Sequence, residues 1–253
     1  MDNKIFICFA AEDRYRIVEP VVYHLRNYGI NMWYDRYSLV MGDKRIEKNL
    51  IEGATECQYA ILILSEFTND SPCALEELAI IEKRYHEGEI TVFPILYELA
   101  PNNLPINLHW VKELIFKEAD RYSGTYEICN HIACKITSDI LHYYKYQNIQ
   151  NITNNLSNVL PPATYTILMN YKEIDADNIN SRVALLYSAY ITIKVISELP
   201  QTAIKNMLFH IFDRLFSETK LSLAIDYREL WLLENSICIL VNLYIVYCIE
   251  SKI

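Results

Sequence analysis

Glycine is scarce in this 253-residue chain and absent from its last half. The five glycines, at positions 29, 42, 53, 88 and 124, all precede residue 125. Glycine punctuates the tight turns of α/β folds, whereas long helices avoid it. This distribution predicts an α/β domain followed by an all-α domain, and the chain is long enough for both.

Basic clusters and metal-ligand spacings are also missing. The net charge is -9, and phosphate neutralisation needs clustered Lys and Arg, so we expect no nucleic-acid partner. The seven cysteines include no Cys-x-x-Cys pair, and the six histidines show no ligand spacing. We therefore expect reduced thiols, no disulfide framework and no metal. Residues 1–14 turn acidic too early for a signal peptide, which favours a cytoplasmic protein.

Phosphate-binding glycine motifs are absent as well. No G-x-G-x-x-G follows the first apolar run, and no G-x-x-x-x-G-K-[ST] occurs anywhere. These absences leave a Rossmann dinucleotide fold and a P-loop without support. No Ser-His-Asp or Cys-His constellation stands out either.

Short apolar runs alternate with amphipathic segments over the first 146 residues. The predicted strands are residues 4–9, 30–34, 59–64, 90–97 and 114–116. The predicted helices are residues 13–28, 44–56, 71–85 and 126–146. Pro20 should kink the first helix or delay its start, and Pro94 indicates a bulge or an edge position. The alternation predicts a five-stranded parallel sheet flanked by helices. In strand order 2-1-3-4-5, ligands bind between strands one and three, beside residues 10–13 and 65–73.

The helix after the third strand carries two adjacent carboxylates. Ser71 is a candidate N-cap, and a stripe that includes Ala74, Leu78 and Ile81 should face the sheet. Glu76 lies opposite this stripe, whereas Glu77 lies on its edge, close to the loop at the switch point. Glu77 is a candidate ligand-contacting carboxylate, although a solvated glutamate that favours the helix dipole fits the same position.

Five segments in this order resemble the TIR domain, particularly its bacterial branch. They are FICFAAEDR (6–14), NMWYDRYSLVMGD (31–43), AILILSEF (60–67), SPCALEEL (71–78) and VFPILYE (92–98). The resemblance covers residues 1 to about 146 and implies a flavodoxin-like TIR fold. It identifies residues 35–43 as the flexible BB loop.

Many TIR domains hydrolyse or cyclise NAD and release nicotinamide, so the resemblance implies an NAD+ glycohydrolase or cyclase. It implies NAD+ as the substrate, no bound cofactor, and a role as an assembly-activated bacterial defence effector. The family's essential glutamate follows a tryptophan by four residues and precedes Leu or Ile, which matches Glu77 and Leu78. Expected substrate contacts are Phe9, Ala10, Ala11, Trp33, Tyr34, Asp35, Asp43, Ser65 and Cys73.

The chain departs from the family pattern at some of these positions. Cys73 replaces the tryptophan, and Ala10 and Ala11 replace residues that are often polar or basic. These changes motivate an alternative function, a non-catalytic TIR adaptor that acts through contacts between TIR domains. The aromatic residues Trp33, Tyr34 and Phe9 fit core packing as well as substrate contact. Likewise, Asp35 and Asp43 fit a capping role.

The remaining residues resemble no family known to us. Residues 147–163 are rich in Asn and end near Pro161 and Pro162, which is typical of a linker. Residues 164–253 then form a predicted helical domain, with helices at 165–172, 178–197, 201–217 and 226–249. The last helix is apolar enough to raise a membrane span as an alternative. Because Glu234, Asn235, Ser236 and Asn242 interrupt it, we expect a helix buried in a bundle or an interface.

Catalytic TIR domains commonly need assembly, so we predict that the C-terminal helical domain drives self-association. Removing residues 150–253 should shift the mass distribution in solution towards the monomer. Light scattering of the full-length and shortened proteins at equal concentration measures this shift, and identical distributions would contradict the prediction.

Overall fold

The computed structural model describes residues 4–155, 158–195, 199, 201–220 and 225–250, without the side chains of 218–220 and 250. The chain divides into two compact units. The first comprises Met1–Arg26 and Ile30–Cys129, and the second comprises Asn27–Gly29 and Asn130–Ile253.

A five-stranded parallel sheet forms the centre of the first unit. Its strands are β1 (Ile5–Cys8), β2 (Met32–Trp33), β3 (Tyr59–Leu64), β4 (Thr91–Tyr97) and β5 (Lys117–Ala119). Their order is β2-β1-β3-β4-β5, which confirms the predicted architecture. Every residue of β1 and β3 is buried, as expected for parallel strands that are covered on both faces.

Helical segments connect these strands. They include α1 (Glu19–Asn27), α2 (Asp35–Ser38), a π-helix (Ile46–Thr55) and α3 (Pro72–His86), and two 3-10 helices (Pro101–Asn103 and Ile106–Glu113) lie between β4 and β5. A 3-10 turn (Ala11–Asp13) and a π-helical turn (Arg14–Val18) precede α1. The α-helix therefore begins one residue before Pro20, which fits the later start expected from that proline.

The start and the buried face of α3 agree with the sequence pattern. The Ser71 hydroxyl accepts a hydrogen bond from the backbone N–H of Ala74 at 3.4 Å, and Pro72 occupies the first helical turn. Ala74, Leu78 and Ile81 are buried in the core cluster beside the sheet. The predicted helical face is therefore correct.

Two local predictions were wrong, and a third was correct in one of its two alternatives. The fifth strand is Lys117–Ala119 instead of 114–116, because Leu114 and Phe116 pack against the core from the preceding connection. Residues 35–38 of the predicted loop form the short helix α2. For Pro94 the predicted bulge is absent, since the β3–β4 register continues through it, whereas the alternative of an edge position holds locally: β5 pairs with β4 only from Ile95 onwards, so Pro94 needs no N–H on that side.

The second unit is helical, as predicted, but its main segment begins at Asn130 rather than at the predicted residue 164. It contains α5 (Ile149–Asn155), α6 (Pro162–Glu173), α7 (Ile179–Val195), α8 (Ala203–Lys220) and α9 (Tyr227–Glu250), as well as most of α4 (Tyr126–Tyr143). The predicted end of one helix, residues 196–197, lies outside the described residues.

Two sets of contacts explain why the second unit includes α4 and part of the predicted linker. Hydrogen bonds join α4 to α9: Asn130 donates to Glu229 at 3.4 Å, and Asn235 donates to Thr137 at 3.3 Å. Within residues 147–163, α5 buries Ile149 and Ile152, so this segment is partly structured rather than an open linker.

By length and composition, the segment of α9 from Tyr227 to Ile249 could cross a membrane. However, 61% of its most apolar 18-residue stretch is buried within the protein. Its interrupting polar residues all have partners in the same unit. Glu234 accepts from Arg182, Asn235 donates to Thr137, and Ser236 donates to the Leu232 carbonyl. Asn242 binds the backbone of Gln147 in both directions. These contacts agree with the predicted buried helix.

Gly53 allows the π-helix to approach the sheet closely. A Cβ at this position would lie 2.7 Å from the Phe6 ring and 3.3 Å from Trp33. We predict that Gly53→Ala destabilises the protein by about 1–3 kcal/mol, because the clash outweighs the better helix propensity of alanine. Chemical denaturation of both proteins measures the effect. Glu52→Ala, one residue away, is the control and should change stability far less; equal effects would contradict the prediction.

Candidate active site

The loops after β1 and β3 meet at the carboxyl edge of the sheet, where the strand order reverses. The Ser65 hydroxyl donates a 2.6 Å hydrogen bond to the carboxylate of Asp13, so the two loops are joined directly. The hydroxyl of Thr68 accepts from the backbone N–H of Ser65 at 2.8 Å and closes the second loop on itself. These hydrogen bonds hold the two loops together at the position where ligands bind in such sheets.

A cavity of about 270 Å³ opens beside these loops. It receives side chains from the end of β1, the end of β2, the π-helix and the first turns of α3. The lining residues are Ile7, Phe9, Ala11, Arg14, Trp33, Asp35, Leu39, Arg45, Asn49, Ser71, Cys73 and Glu77.

Glu77 is the buried carboxyl of this cavity. Only 7% of the residue is exposed, and the side-chain amide of Asn49 donates a hydrogen bond to its Oε1. Burial raises the pKa of Glu77 to about 7, while the hydrogen bonds from Asn49 and the Cys8 thiol oppose this rise. Burial and the nearby Glu77 also raise the pKa of Cys8. A carboxyl that titrates near neutrality in a cleft is typical of functional sites.

The neighbouring glutamate has a different environment. The Glu76 side chain is 50% exposed and forms a 2.6 Å ion pair with Arg45. The helical-face prediction therefore separated the two carboxylates correctly, with Glu77 inward and Glu76 outward. Both glutamates lie in the same helical turn, so the difference in their chemistry comes from the burial of Glu77 near the sheet.

Two arginines, Arg14 and Arg45, place positive charge beside the cavity. Arg14 forms a two-pronged ion pair with Asp35, at 2.7 and 2.6 Å, and donates to the Tyr34 hydroxyl at 3.0 Å. Its guanidinium also lies 4.9 Å from the centre of the Phe9 ring. These hydrogen bonds raise the pKa of Arg14, so it stays charged.

The structure brings six of the predicted residues to the cavity. They are Phe9, Ala11, Trp33, Asp35, Cys73 and Glu77. Trp33 also packs against Phe6 with ring centres 5.3 Å apart, so it serves the core as well as the cavity wall. Asp35, for which the sequence also allowed a capping role, instead pairs with Arg14.

Four predicted contacts lie outside the lining. Ala10 is fully buried, and the Tyr34 hydroxyl donates to Glu19 at 2.8 Å within the core edge. Asp43 accepts from the backbone N–H of Val40 at 2.8 Å, which is a capping role. Ser65 is held by its hydrogen bond to Asp13. Each of these side chains is already engaged in packing or local hydrogen bonding.

Sequence reasoning missed Asn49, Arg45 and Arg14. Asn49 lies 28 residues before Glu77 and reaches it from a π-helix, whose wider turn changes the face on which each residue lies. No spacing signal in the sequence indicates that contact. Among the residues that the structure describes, no group of three His, Cys, Asp or Glu side chains is arranged to hold a metal ion.

The raised pKa of Glu77 predicts a specific pH dependence of stability. The pKa is about 7 instead of 4.5, so the folded chain binds this proton more tightly than the unfolded chain. The stabilising contribution is complete below the unfolded pKa and is lost as the pH rises through the folded pKa. Glu77→Gln cannot ionise and can still accept from Asn49, so it should be more stable than wild type above pH about 8, by up to about 3 kcal/mol.

Thermal unfolding of both proteins across this pH range measures the difference, which should vanish in acid. Glu76→Gln is the matched control and should show no comparable pH-dependent gain, because Glu76 is exposed. Parallel stability curves for wild type and Glu77→Gln would contradict the prediction.

Comparison with known proteins relates a segment of the first unit to one family. Residues 5–123 match the model of the TIR domain family. The chain is 27% identical over 119 residues to NAD(+) hydrolase TcpC of Escherichia coli, covering 47% of this chain and 38% of that protein. It is 27% identical over 100 residues to 2' cyclic ADP-D-ribose synthase AbTIR of Acinetobacter baumannii, covering 40% of this chain and 37% of that protein.

A solved structure, the TIR domain of the Toll-related receptor TRR-2 from Hydra magnipapillata, is 18% identical with a TM-score of 0.38; the match covers 45% of this chain and 82% of that chain. The chain spans slightly less than two fifths of the length of the two curated relatives. The family match rests on the sequence alignment, and the parallel sheet in order β2-β1-β3-β4-β5 is the fold it implies. Residues 5–123 of this chain belong to the TIR domain family.

Proposed function

We propose that this protein cleaves the N-glycosidic bond between nicotinamide and ribose in NAD+. The observation that carries the proposal is the single buried carboxyl, Glu77, of the cavity at the switch point of a TIR sheet. The relatives named NAD(+) hydrolase and 2' cyclic ADP-D-ribose synthase support this substrate. NAD+ is then a substrate rather than a bound cofactor, and the reaction needs no metal.

The chemistry requires one well-placed negative charge. As the glycosidic bond breaks, positive charge develops on the ribose, and the Glu77 carboxylate can stabilise it in a water-poor cavity. The nicotinamide ring of NAD+ is cationic and becomes neutral nicotinamide when it leaves, so no general acid is needed. Attack by water gives ADP-ribose, and attack by a hydroxyl or ring nitrogen within the substrate gives a cyclic product.

The size of the cavity limits how the substrate can bind. Its volume of about 270 Å³ is just below the range of roughly 300–1,000 Å³ for sites that enclose drug-sized ligands. We therefore propose that the nicotinamide and its ribose enter the cavity, while the rest of NAD+ lies along the rim near Arg45. Cys73 is exposed in this lining and supplies no aromatic face, so stacking depends on Trp33 and Phe9.

The decisive experiment compares two adjacent glutamates. Purified full-length protein at high concentration is incubated with NAD+, and released nicotinamide is measured by chromatography. We expect Glu77→Gln to lower the rate at least about 100-fold, as for loss of a group that stabilises transition-state charge. Glu76→Gln leaves the Glu77 carboxylate in place and removes only the partner of Arg45 at the rim, so its kcat should stay within about twofold of wild type and any effect should appear in KM.

The pH profile gives a second readout of the same residue. Because the ionised carboxylate is the active form, the rate should rise with pH through about 7. No nicotinamide release under any assembled condition, or equal release from wild type and Glu77→Gln, would overturn the catalytic assignment.

One observation favours a second function, a TIR adaptor without catalysis. The loop before the π-helix exposes Val40 and Met41, and Ile46 is exposed at the start of that helix. Exposed apolar side chains close together are typical of protein contacts. An adaptor would retain this surface and its self-association while releasing no nicotinamide, so the nicotinamide assay separates the two functions.

We further propose that the helical unit supports self-association and that the protein acts in the cytoplasm as a bacterial defence effector. In this unit α7 exposes Ile191 and Val195, which lie four residues apart on one helical face. Removing residues 150–253 would also strip α9 from α4. The light-scattering measurement is therefore best repeated on the full-length double variant Ile191→Asp/Val195→Asp. This variant should shift the protein towards the monomer.

A further inference from the structure

A second cavity lies in the helical unit. Its volume is about 550 Å³, twice that of the cavity beside Glu77, and it falls within the range of small-molecule sites. Helices and connecting residues of the second unit supply all of its walls. The lining residues are Leu141, Asn148, Ile149, Gln150, Tyr171, Lys172, Arg182, Trp231, Glu234, Asn235 and Cys238.

A fixed guanidinium is the main polar feature of this cavity. Arg182 donates from Nε and Nη2 to the Tyr171 hydroxyl, at 3.0 and 2.6 Å, and from Nη2 to Glu234 at 2.5 Å. Its guanidinium also lies over the Tyr171 ring, 4.5 Å from the ring centre. Within the described part of the chain, its Nη1 makes no hydrogen bond. The side chain is therefore already ordered and retains donors for a ligand, which lowers the entropic cost of binding.

The charges that line the cavity favour an anion. Lys172 and Arg182 are positive, and Glu234 is the single acidic residue of the lining. Glu234 Oε1 accepts from both Tyr171 and Arg182, so its charge is partly balanced within the wall. Lys172 donates one hydrogen bond, to Asn154 at 3.0 Å, and an ammonium has three donors. With Glu234 counted, the lining carries a net charge of +1, and Arg182 and Lys172 together can donate to several oxygens of one phosphate monoester, which a single carboxylate does not offer.

An aromatic ring completes the site. Trp231 is 43% exposed, whereas Trp33 and Trp110 are buried. The guanidinium of Arg228 lies 5.2 Å from the centre of the indole ring, and Arg228 is outside the cavity lining. The indole is therefore partly exposed in the cavity lining, where a planar group can stack on it. Asn148 and Gln150 add amide groups that can bind the polar edge of a base or a sugar.

The geometry points to a binding site for a nucleoside monophosphate in the helical unit, separate from the cavity that contains Glu77. The phosphate binds Arg182 and Lys172, and the base stacks on Trp231. The apolar floor comes from Leu141, Ile149 and Cys238, where burial raises the pKa of the thiol to about 12 and keeps it neutral. The site does not depend on the reaction proposed for the TIR domain.

Isothermal titration of the full-length protein with AMP tests this inference. We expect one saturable site, with adenosine and inorganic phosphate each binding at least about tenfold more weakly than AMP. Trp231→Ala and Lys172→Gln should each weaken AMP binding about tenfold or more, as for loss of a stacking ring or a phosphate contact. Both variants leave the Arg182, Tyr171 and Glu234 contacts in place.

Two control variants show whether AMP binds in this cavity. Tyr227→Ala removes an exposed ring from the same helix, one turn before Trp231 and outside the lining, and should bind AMP like wild type. Glu77→Gln should also bind AMP normally, because its carboxyl lies in the other cavity. In wild type, AMP should protect the exposed tryptophan from acrylamide quenching, a readout that needs no variant.

Three results would overturn the inference. The first is no saturable binding at about 1 mM AMP. The second is loss of binding in Glu77→Gln together with normal binding in Trp231→Ala and Lys172→Gln, which would place AMP in the TIR cavity. The third is adenosine binding as tightly as AMP, which would remove the role of the two cations.

Discussion

The hydrogen bond that Asn49 donates to Glu77 is the contact on which the cavity in the first unit depends. It joins the π-helix to α3 above the ends of β1 and β3. A carboxyl this deeply buried loses its hydration, and Asn49 and Cys8 compensate only in part, so the pKa remains near 7. Functional sites commonly retain such a cost in stability, because a group optimised for folding would be inert.

The helical unit uses its buried polar groups in a different way. They are spread along α9, and each connects α9 to another segment of the same unit. Asn235 contacts α4, Glu234 contacts α6 and α7, and Asn242 contacts the segment before α5. A purely apolar helix could pack in several orientations, whereas these bonds favour one. Glu234 and Asn235 also line the second cavity, so the same contacts orient α9 and shape a pocket.

The accuracy of the sequence predictions follows from how much information each segment carries alone. Residues 59–64 were predicted as β3 without error, since a short apolar run between turns leaves few alternatives. The fifth strand was displaced because its sequence, KEA, is polar, while the apolar residues before it pack from a connection. The segment 147–163 was assigned to a linker on composition, yet it contains the helix α5, in which Ile149 and Ile152 are buried.

By itself, the sequence determined the order of strands and helices, the N-cap at Ser71 and the inward face of α3 that distinguishes Glu77 from Glu76. These features depend on local periodicity and on residues a few positions apart. Only the tertiary structure decided that Asn49 meets Glu77, that Arg14 pairs with Asp35, and that Lys172, Arg182 and Trp231 share a cavity. The physical reason is that these contacts join residues far apart in the chain, and their geometry is set by how whole helices pack rather than by any local pattern.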